Sequence, residues 1–332
     1  MRDDEHDQRT SRARRLPSRR KHIARNDAIV NSITLRSVCL PALLTSLAAA
    51  CSPLTTFDTL VPKDHGGRLV AKDLAYGSGP RQQLDIYAPR GGCGRPRPVV
   101  VFFYGGSWNS GTRAGYAFVG RALAAQGFVT VVPDYRLVPE VRYPAFVEDG
   151  AAAVRWVTLH AASYCGDGGS VVLMGHSAGA YIAAMLAVDS RWLGDTRKAV
   201  KGFVGLAGPY DFVPFDVDAT RSAFGKAANP AETQPITWAG AGDPPTLLLY
   251  GQNDTVVRPR NSEALAAKLR AGGVPVEQRA YRKLGHVGVL LALARPFRGR
   301  APALDDVSAF VRQSAKQNRN DRLRDPPGGT SR

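Results

Sequence analysis

A serine stands between two glycines where a short apolar run ends. Residues 171–181 read Val-Val-Leu-Met-Gly-His-Ser-Ala-Gly-Ala-Tyr, with Ser177 between Gly175 and Gly179. A strand that turns abruptly into a helix holds such a serine in a strained backbone conformation. The turn lifts the hydroxyl clear of the sheet and sets it at a helix N-terminus, where developing negative charge is favoured. That is a place for nucleophilic attack on a carbonyl. The pentapeptide alone also fits a Gly-rich strand-to-helix turn with an incidental serine, so the reading depends on partners elsewhere in the chain.

A serine hydroxyl is a weak nucleophile near neutral pH. It needs a base, an acid to orient the base, and donors for the oxyanion. The chain has 6 His. His6 and His22 lie in the first 51 residues, His65 precedes the first expected strand, His160 falls near a helix end, and His176 is inside the turn itself. Only His286 follows the last expected strand, flanked by Gly285 and Gly288, and it is the candidate base; the plainer reading is a surface-loop histidine. Asp254 follows the apolar run 246–250, at the carboxyl end of a strand, where sites in α/β sheets are built. Asp211, in Gly-Pro-Tyr-Asp after the run 203–206, is the second candidate acid. Asp305 and Asp306 open a helix and read as charges that offset its dipole. Donors are expected from Tyr104-Gly105-Gly106-Ser107-Trp108, where Gly105 and Gly106 leave their N–H groups unobstructed, and from the N–H of Ala178. Trp108, Tyr210 and Phe212 either wall a small apolar pocket or are ordinary packing.

These residues must be held by an alternating framework. Apolar runs at 69–76, 83–88, 99–104, 129–133, 171–174, 203–206, 246–250 and 276–281 read as strands. Helical patterns fall at 112–126, 145–162, 178–188, 261–271 and 304–316. The central runs are apolar on both faces, as parallel strands covered by helices on both sides require. The expected fold is α/β, a mostly parallel sheet of about eight strands. Residues 52–316 form the catalytic domain, and 208–243, rich in Gly, Pro, Ala and Asp, break the alternation as a small cap or insert. Residues 317–332, with Pro-Pro-Gly-Gly, read as a disordered basic tail.

The net charge of +16 invites a nucleic-acid reading. Residues 1–51 hold 10 Lys/Arg against 5 Asp/Glu, and 312–332 hold 6 against 2, so more than half of the excess lies at the two ends. Solvated basic tails fit better than a nucleic-acid surface, and no groove pattern or zinc-finger spacing appears. No His/Cys cluster suggests a metal, and no cofactor is expected. Residues 38–50 form an uncharged, largely apolar run of signal-peptide length. It ends in Leu-Ala-Ala-Ala before Cys51, which resembles a bacterial lipobox with its leucine one place early. A leader at 1–51 is therefore expected, with export to the cell envelope and membrane anchoring through a lipidated Cys51; an ordinary cleaved signal is the alternative. Cys93 and Cys165 each lie six residues before an apolar run. If those runs are adjacent parallel strands, the two cysteines share one end of the sheet and could pair, the alternative being two free thiols.

Three local matches carry a family resemblance over residues 68–312. Tyr104-Gly105-Gly106-Ser107-Trp108 is similar to a His-Gly-Gly-x-Trp loop, Asp134-Tyr135-Arg136-Leu137-Val138-Pro139-Glu140 to an Asp-Tyr-Arg-Leu-x-Pro-Glu segment, and residues 175–179 to the nucleophile turn. Together they resemble the α/β-hydrolase superfamily, and within it the hormone-sensitive-lipase-like carboxylesterases. The resemblance implies an α/β-hydrolase fold, the chain order Ser, Asp, His, and acyl transfer from small esters. It implies no metal or nucleotide. It also makes the strands at Val99 and Val171 neighbours, which favours the Cys93–Cys165 pairing. Tyr104 stands where the family has His, which leaves open what orders that loop. An arylformamidase-like amide hydrolase and a non-catalytic binding protein of the same fold are the alternative functions.

Overall fold

The computed structural model describes residues 53–324, with side chains from 56 to 320. The expected leader at 1–51, including Cys51, and the tail beyond residue 324 lie outside the described residues. Eight strands form one sheet: β1 (Gly67–Ala75), β2 (Gln83–Pro89), β3 (Arg97–Phe103), β4 (Val129–Pro133), β5 (Gly166–His176), β6 (Val200–Leu206), β7 (Thr246–Gly251) and β8 (Val276–Tyr281). Their order is β1-β2-β4-β3-β5-β6-β7-β8. Strand β2 pairs antiparallel with β1 and β4, and every pairing from β4 onward to β8 is parallel. The α/β-hydrolase expectation holds.

Helices cover the sheet: α1 (Pro53–Leu60), α2 (Ala117–Ala125), α3 (Ala145–His160), α4 (Ala178–Val188), α5 (Ser190–Leu193), α6 (Asp218–Phe224), α7 (Pro235–Trp238), α8 (Arg260–Ala271), α9 (His286–Leu291) and α10 (Ala303–Arg324). Val99–Phe103 of β3 are wholly buried on both faces. Helix α4 is buried along its whole length, because it is the central layer between β5–β6 and the outer helices. Its sequence, Ala-Gly-Ala-Tyr-Ile-Ala-Ala-Met-Leu-Ala-Val, is apolar all round, which suits a helix without a solvent face.

Two expectations shift. Helix α10 continues to Arg324, so residues 317–324 are helical where a disordered tail was expected. Asn318 explains the extension: it is buried, and its Nδ2 donates to the carbonyl of Gly169 at 3.2 Å, fastening the last turns to β5. Strand β5 also begins at Gly166, earlier than its apolar run, through pairing of Gly166 with Arg97. Residues 208–243 lie between β6 and β7 and carry α6 and α7. The cysteines meet as the register requires. Val99 pairs with Val171, and Cys93 and Cys165 lie at bonding distance with Cα atoms 5.3 Å apart, inside the range a disulfide spans.

Candidate active site

Strand β5 and helix α4 meet at Ser177, whose φ of 54° and ψ of −123° fall in a region that costs a residue with a side chain about 1–3 kcal/mol. The surroundings impose the turn. The Ser177 N–H donates to the Leu206 carbonyl at 2.9 Å. A Cβ on Gly175 would collide with the backbone of Gly179, and one on Gly179 with the carbonyl of Phe103. Both glycines are therefore needed for α4 to start this close to β5 and β3.

His286 opens α9 just beyond β8. Its Nε2 lies 2.8 Å from Ser177 Oγ and its Nδ1 2.8 Å from Asp254 Oδ2. An Nδ1–H donated to the carboxylate leaves Nε2 to accept the serine proton. The other carboxylate oxygen of Asp254 accepts the N–H groups of Val256 and Val257, each at 2.9 Å. Burial pushes the Asp254 carboxyl up, but the hydrogen bond and charge of His286 and the two backbone donors outweigh it and hold it below the usual carboxylate value. Asp211 is not brought in: it is exposed, and its backbone N–H is taken by Asn261 Oδ1 at 3.0 Å.

The loop after β3 wraps over the serine. A Cβ on Gly105 would lie 2.9 Å from His176 Nδ1 and 3.0 Å from Ser177 Cβ, so only glycine lets the loop close here. Its carbonyls are held from behind. Tyr135 Oη donates to the Tyr104 carbonyl at 2.8 Å, and Tyr116 Oη donates to the Gly105 carbonyl at 3.1 Å. A peptide group is planar and trans, so each held C=O fixes the opposite direction for the next N–H. Tyr135 thus aims the N–H of Gly105, and Tyr116 aims that of Gly106. Neither N–H, nor that of Ala178, has an acceptor among the described residues.

Tyr104, standing where the resembled family has histidine, itself orders the loop. Its ring stacks between Tyr135 and Tyr116, with centroids 4.7 and 5.2 Å away. Its hydroxyl donates to Asp134 Oδ1 at 2.7 Å and accepts from Arg81 Nη2 at 2.8 Å. The same Arg81 donates to the carbonyls of Gly111 and Tyr135, at 2.7 and 2.8 Å, tying both ends of the loop to one side chain. Asp134 is held in turn by the backbone N–H of Arg113 at 2.7 Å and by its guanidinium. Burial pushes the Tyr104 and Tyr135 hydroxyls well above their ordinary pKa, so both keep the protons they donate.

His176, set aside in the sequence, is a buried support. Its Nε2 is 3.1 Å from the His286 carbonyl, and Nδ1 has no partner among the described residues. Burial, and then the neighbouring His286 imidazole, push its pKa down to about 3. It stays neutral, and its Nε2–H braces the backbone of the residue beside Ser177. The signal for this role was only its place in the turn. Arg81 carried no signal at all.

A cleft of about 470 Å³ opens above Ser177. Trp108 and Phe212 line it, as do Asp216, Val217 and Thr220 of the insert, Val256, Val257 and Arg258 of the loop carrying Asp254, and Arg260 of α8. Tyr210 is a correction: it is fully buried and does not line the cleft. Asn261 Oδ1 takes its N–H at 2.9 Å, and its ring turns inward against Phe203 and the glycines at 205 and 208.

Residues 84–269 match the BD-FAE family model. The probable isoprenylcysteine alpha-carbonyl methylesterase ICME of rice, Oryza sativa, is 31% identical over 79% of this chain and 68% of its own length. Esterase LipC of Mycobacterium tuberculosis is 30% identical over 72% of this chain and 64% of its own. Among solved structures, an inhibited esterase B from Lactobacillus rhamnosis aligns with a TM-score of 0.72 at 20% identity, covering 86% of this chain and 99% of that one. A carbohydrate esterase from gut microbiota aligns at 0.67 and 21% identity, over 77% and 99%. At such identities the structures speak for the fold, while the family model and the sequence relatives speak for descent. The chain belongs to the BD-FAE family, among the hormone-sensitive-lipase-like carboxylic ester hydrolases of the α/β-hydrolase superfamily.

Proposed function

We propose that the chain hydrolyses small carboxylic esters through a covalent acyl-serine at Ser177. The observation that carries the reading is one unbroken line of contacts. Ser177 Oγ, His286 and Asp254 are linked by two 2.8 Å hydrogen bonds, beside three backbone N–H groups that have no acceptor of their own. Ser177 Oγ attacks the ester carbonyl as its proton passes to His286 Nε2. Asp254, ionised in its buried niche, stabilises the imidazolium. The N–H groups of Gly105, Gly106 and Ala178 receive the oxyanion, already aimed and needing no reorganisation. Collapse breaks the ester C–O bond, and His286 returns the proton to the leaving alcohol oxygen. Water, deprotonated by His286, then attacks the acyl-serine; the bond from the acyl carbon to Ser177 Oγ breaks, His286 passes the proton to Oγ, and the acid leaves. The limited volume of the cleft, about 470 Å³, supports small substrates over long acyl chains.

The test is fluorophosphonate labelling of the protein together with turnover of a p-nitrophenyl ester series and of N-formylkynurenine. Labelling at Ser177 and ester turnover that falls about 10⁴-fold or more in Ser177→Ala are expected. An unlabelled serine would favour a binding protein of this fold. Turnover of N-formylkynurenine without esters would favour an amide hydrolase.

A further inference from the structure

The cleft above Ser177 has a charged rim that the ester chemistry does not use. Arg258 and Arg260 both line it, and both are exposed. Neither guanidinium has an ion pair or hydrogen bond among the described residues. Some other arginines of the fold are committed to carboxylates. Arg113 binds Asp73, Asp85 and Asp134, Arg136 binds Asp149, and Arg197 binds Asp243.

The position of the two free arginines is locally unfavourable. Arg260 is the first residue of α8 and Arg258 lies two residues before it. A helix N-terminus carries partial positive charge, and cations there cost a few tenths of a kcal/mol or more each. Glu263 in the first turn offsets part of that charge, and the two guanidiniums stay unpaired among the described residues. The carboxylate that lines the cleft is the exposed Asp216, so two guanidiniums face one carboxylate in its charge balance. The walls between are apolar. Phe212 and the exposed side chains of Val217 and Val256 line the same cleft.

We infer that the preferred esters carry a carboxylate at the end of a short apolar body, and that Arg258 and Arg260 hold that carboxylate while Ser177 meets the ester. This inference rests on the ester-hydrolase reading above. A planar guanidinium suits a carboxylate because it can donate two parallel hydrogen bonds, and two such groups at one rim form a specific receptor. The body would lie along Phe212, Val217 and Val256. The carboxylate would also offset the charge that the arginines place at the start of α8.

The experiment uses pairs of esters matched in length and reactivity. The p-nitrophenyl half-ester of adipic acid is compared with p-nitrophenyl hexanoate, which places the carboxylate on the acyl side. The acetate of p-hydroxyphenylpropanoate is compared with p-propylphenyl acetate, which places it on the alcohol side. At low ionic strength, kcat/KM is expected to favour the carboxylate ester by about tenfold or more in one of the two pairs. That ratio should shrink toward one in half-molar salt, because exposed charges are screened there. It should also collapse in Arg258→Gln combined with Arg260→Gln. Ratios near one in both pairs, or a preference that survives the double substitution, would overturn the inference. Turnover of the neutral esters that still depends on Ser177 would then leave the ester-hydrolase reading standing. Failure to hydrolyse any of the four esters would remove both.

Discussion

Tyr135 donates its hydroxyl proton to the carbonyl of Tyr104 at 2.8 Å, in a region where both rings are fully buried. The contact lies behind the loop, away from the cleft. Its effect reaches the cleft through the rigid peptide group, because the N–H on the far side belongs to Gly105. Removing the hydroxyl leaves that peptide free to rotate and leaves a buried carbonyl unsatisfied. Tyr135→Phe is therefore expected to lower kcat for ester turnover about 10- to 100-fold, less than outright loss of an oxyanion donor, with little change in KM. Stability should fall by about 1–3 kcal/mol. Steady-state kinetics with urea unfolding checks both. A variant that loses stability alone, with kcat intact, would mean that the tyrosine only packs.

Tyr104 occupies the same network from the other side. Its hydroxyl sits between Arg81 and Asp134, while Arg81 also grips Gly111. Tyr104→Phe keeps the stacked ring and removes both polar contacts. Arg81→Met removes the clamp at both ends of the loop. Both should depress kcat more than they raise KM, and Arg81→Met should do so more strongly, since Arg81 contacts three points. Equal kcat in the two variants and the wild type would show that stacking alone sets the loop.

How much of this was legible in the chain differs by residue, for physical reasons. Ser177 and Asp254 could be found because each sits just past an apolar run, at a strand end where this architecture gathers its polar groups, and His286 because the other five histidines fall elsewhere and glycines flank it. The central strands could be found because the buried parts of β3, β5, β6 and β7 are covered on both faces and read as short apolar runs. Helices α6, α7 and α9 span 7, 4 and 6 residues, too few to show a helical period. Arg81 precedes β2 in a polar turn, and nothing local marks it as the clamp of a loop more than 20 residues on. Tyr210 and Phe212 looked alike as aromatic residues after β6. Which of them faces the cleft was decided by Asn261, half a hundred residues away, whose side chain binds the backbone of Tyr210.

His176 makes stability depend on pH. In the unfolded chain a histidine binds its proton near 6.5, whereas in the fold His176 does so only near about 3. Between those values the unfolded chain holds the extra proton, so stability rises with pH across the window and is lost on acidification. The slope for one proton is about 1.4 kcal/mol per pH unit at most. His176→Gln keeps an N–H donor for the His286 carbonyl but cannot titrate. Between pH ~6.5 and ~5 the wild type should lose about 1.6 kcal/mol more than this variant in urea unfolding. Parallel losses in the two proteins would mean that His176 takes up its proton without cost.

Cys93 and Cys165 stand 72 residues apart in sequence, at the same end of adjacent strands. A bridge closing so long a loop constrains the unfolded chain, by about 4 kcal/mol on the chain-entropy model. A reductant should therefore lower the unfolding midpoint of the wild type and leave that of Cys93→Ser/Cys165→Ser unchanged. Thiol labelling before reduction should find neither cysteine free. Labelling of both would establish the unbridged form.

Asp254 and Asp211 offer the sharpest test of the site, because the chain presented both and the fold selects one. Asp254 accepts from His286 Nδ1 and from two backbone N–H groups, three donors that favour a charged carboxylate. Its lowered pKa keeps that charge well into the acid range. Asp254→Asn removes the charge and lets an amide N–H oppose Nδ1, which favours the tautomer whose Nε2 already carries a proton. That imidazole cannot take the proton of Ser177, and kcat should fall about 10⁴-fold. Asp211→Asn changes an exposed side chain whose backbone alone is engaged, so turnover should stay near the wild-type value. Both proteins should fold, since the Asn side chains match Asp in shape, and circular dichroism can confirm it. Comparable losses in the two variants would mean that the acid is not decided by the contact to His286.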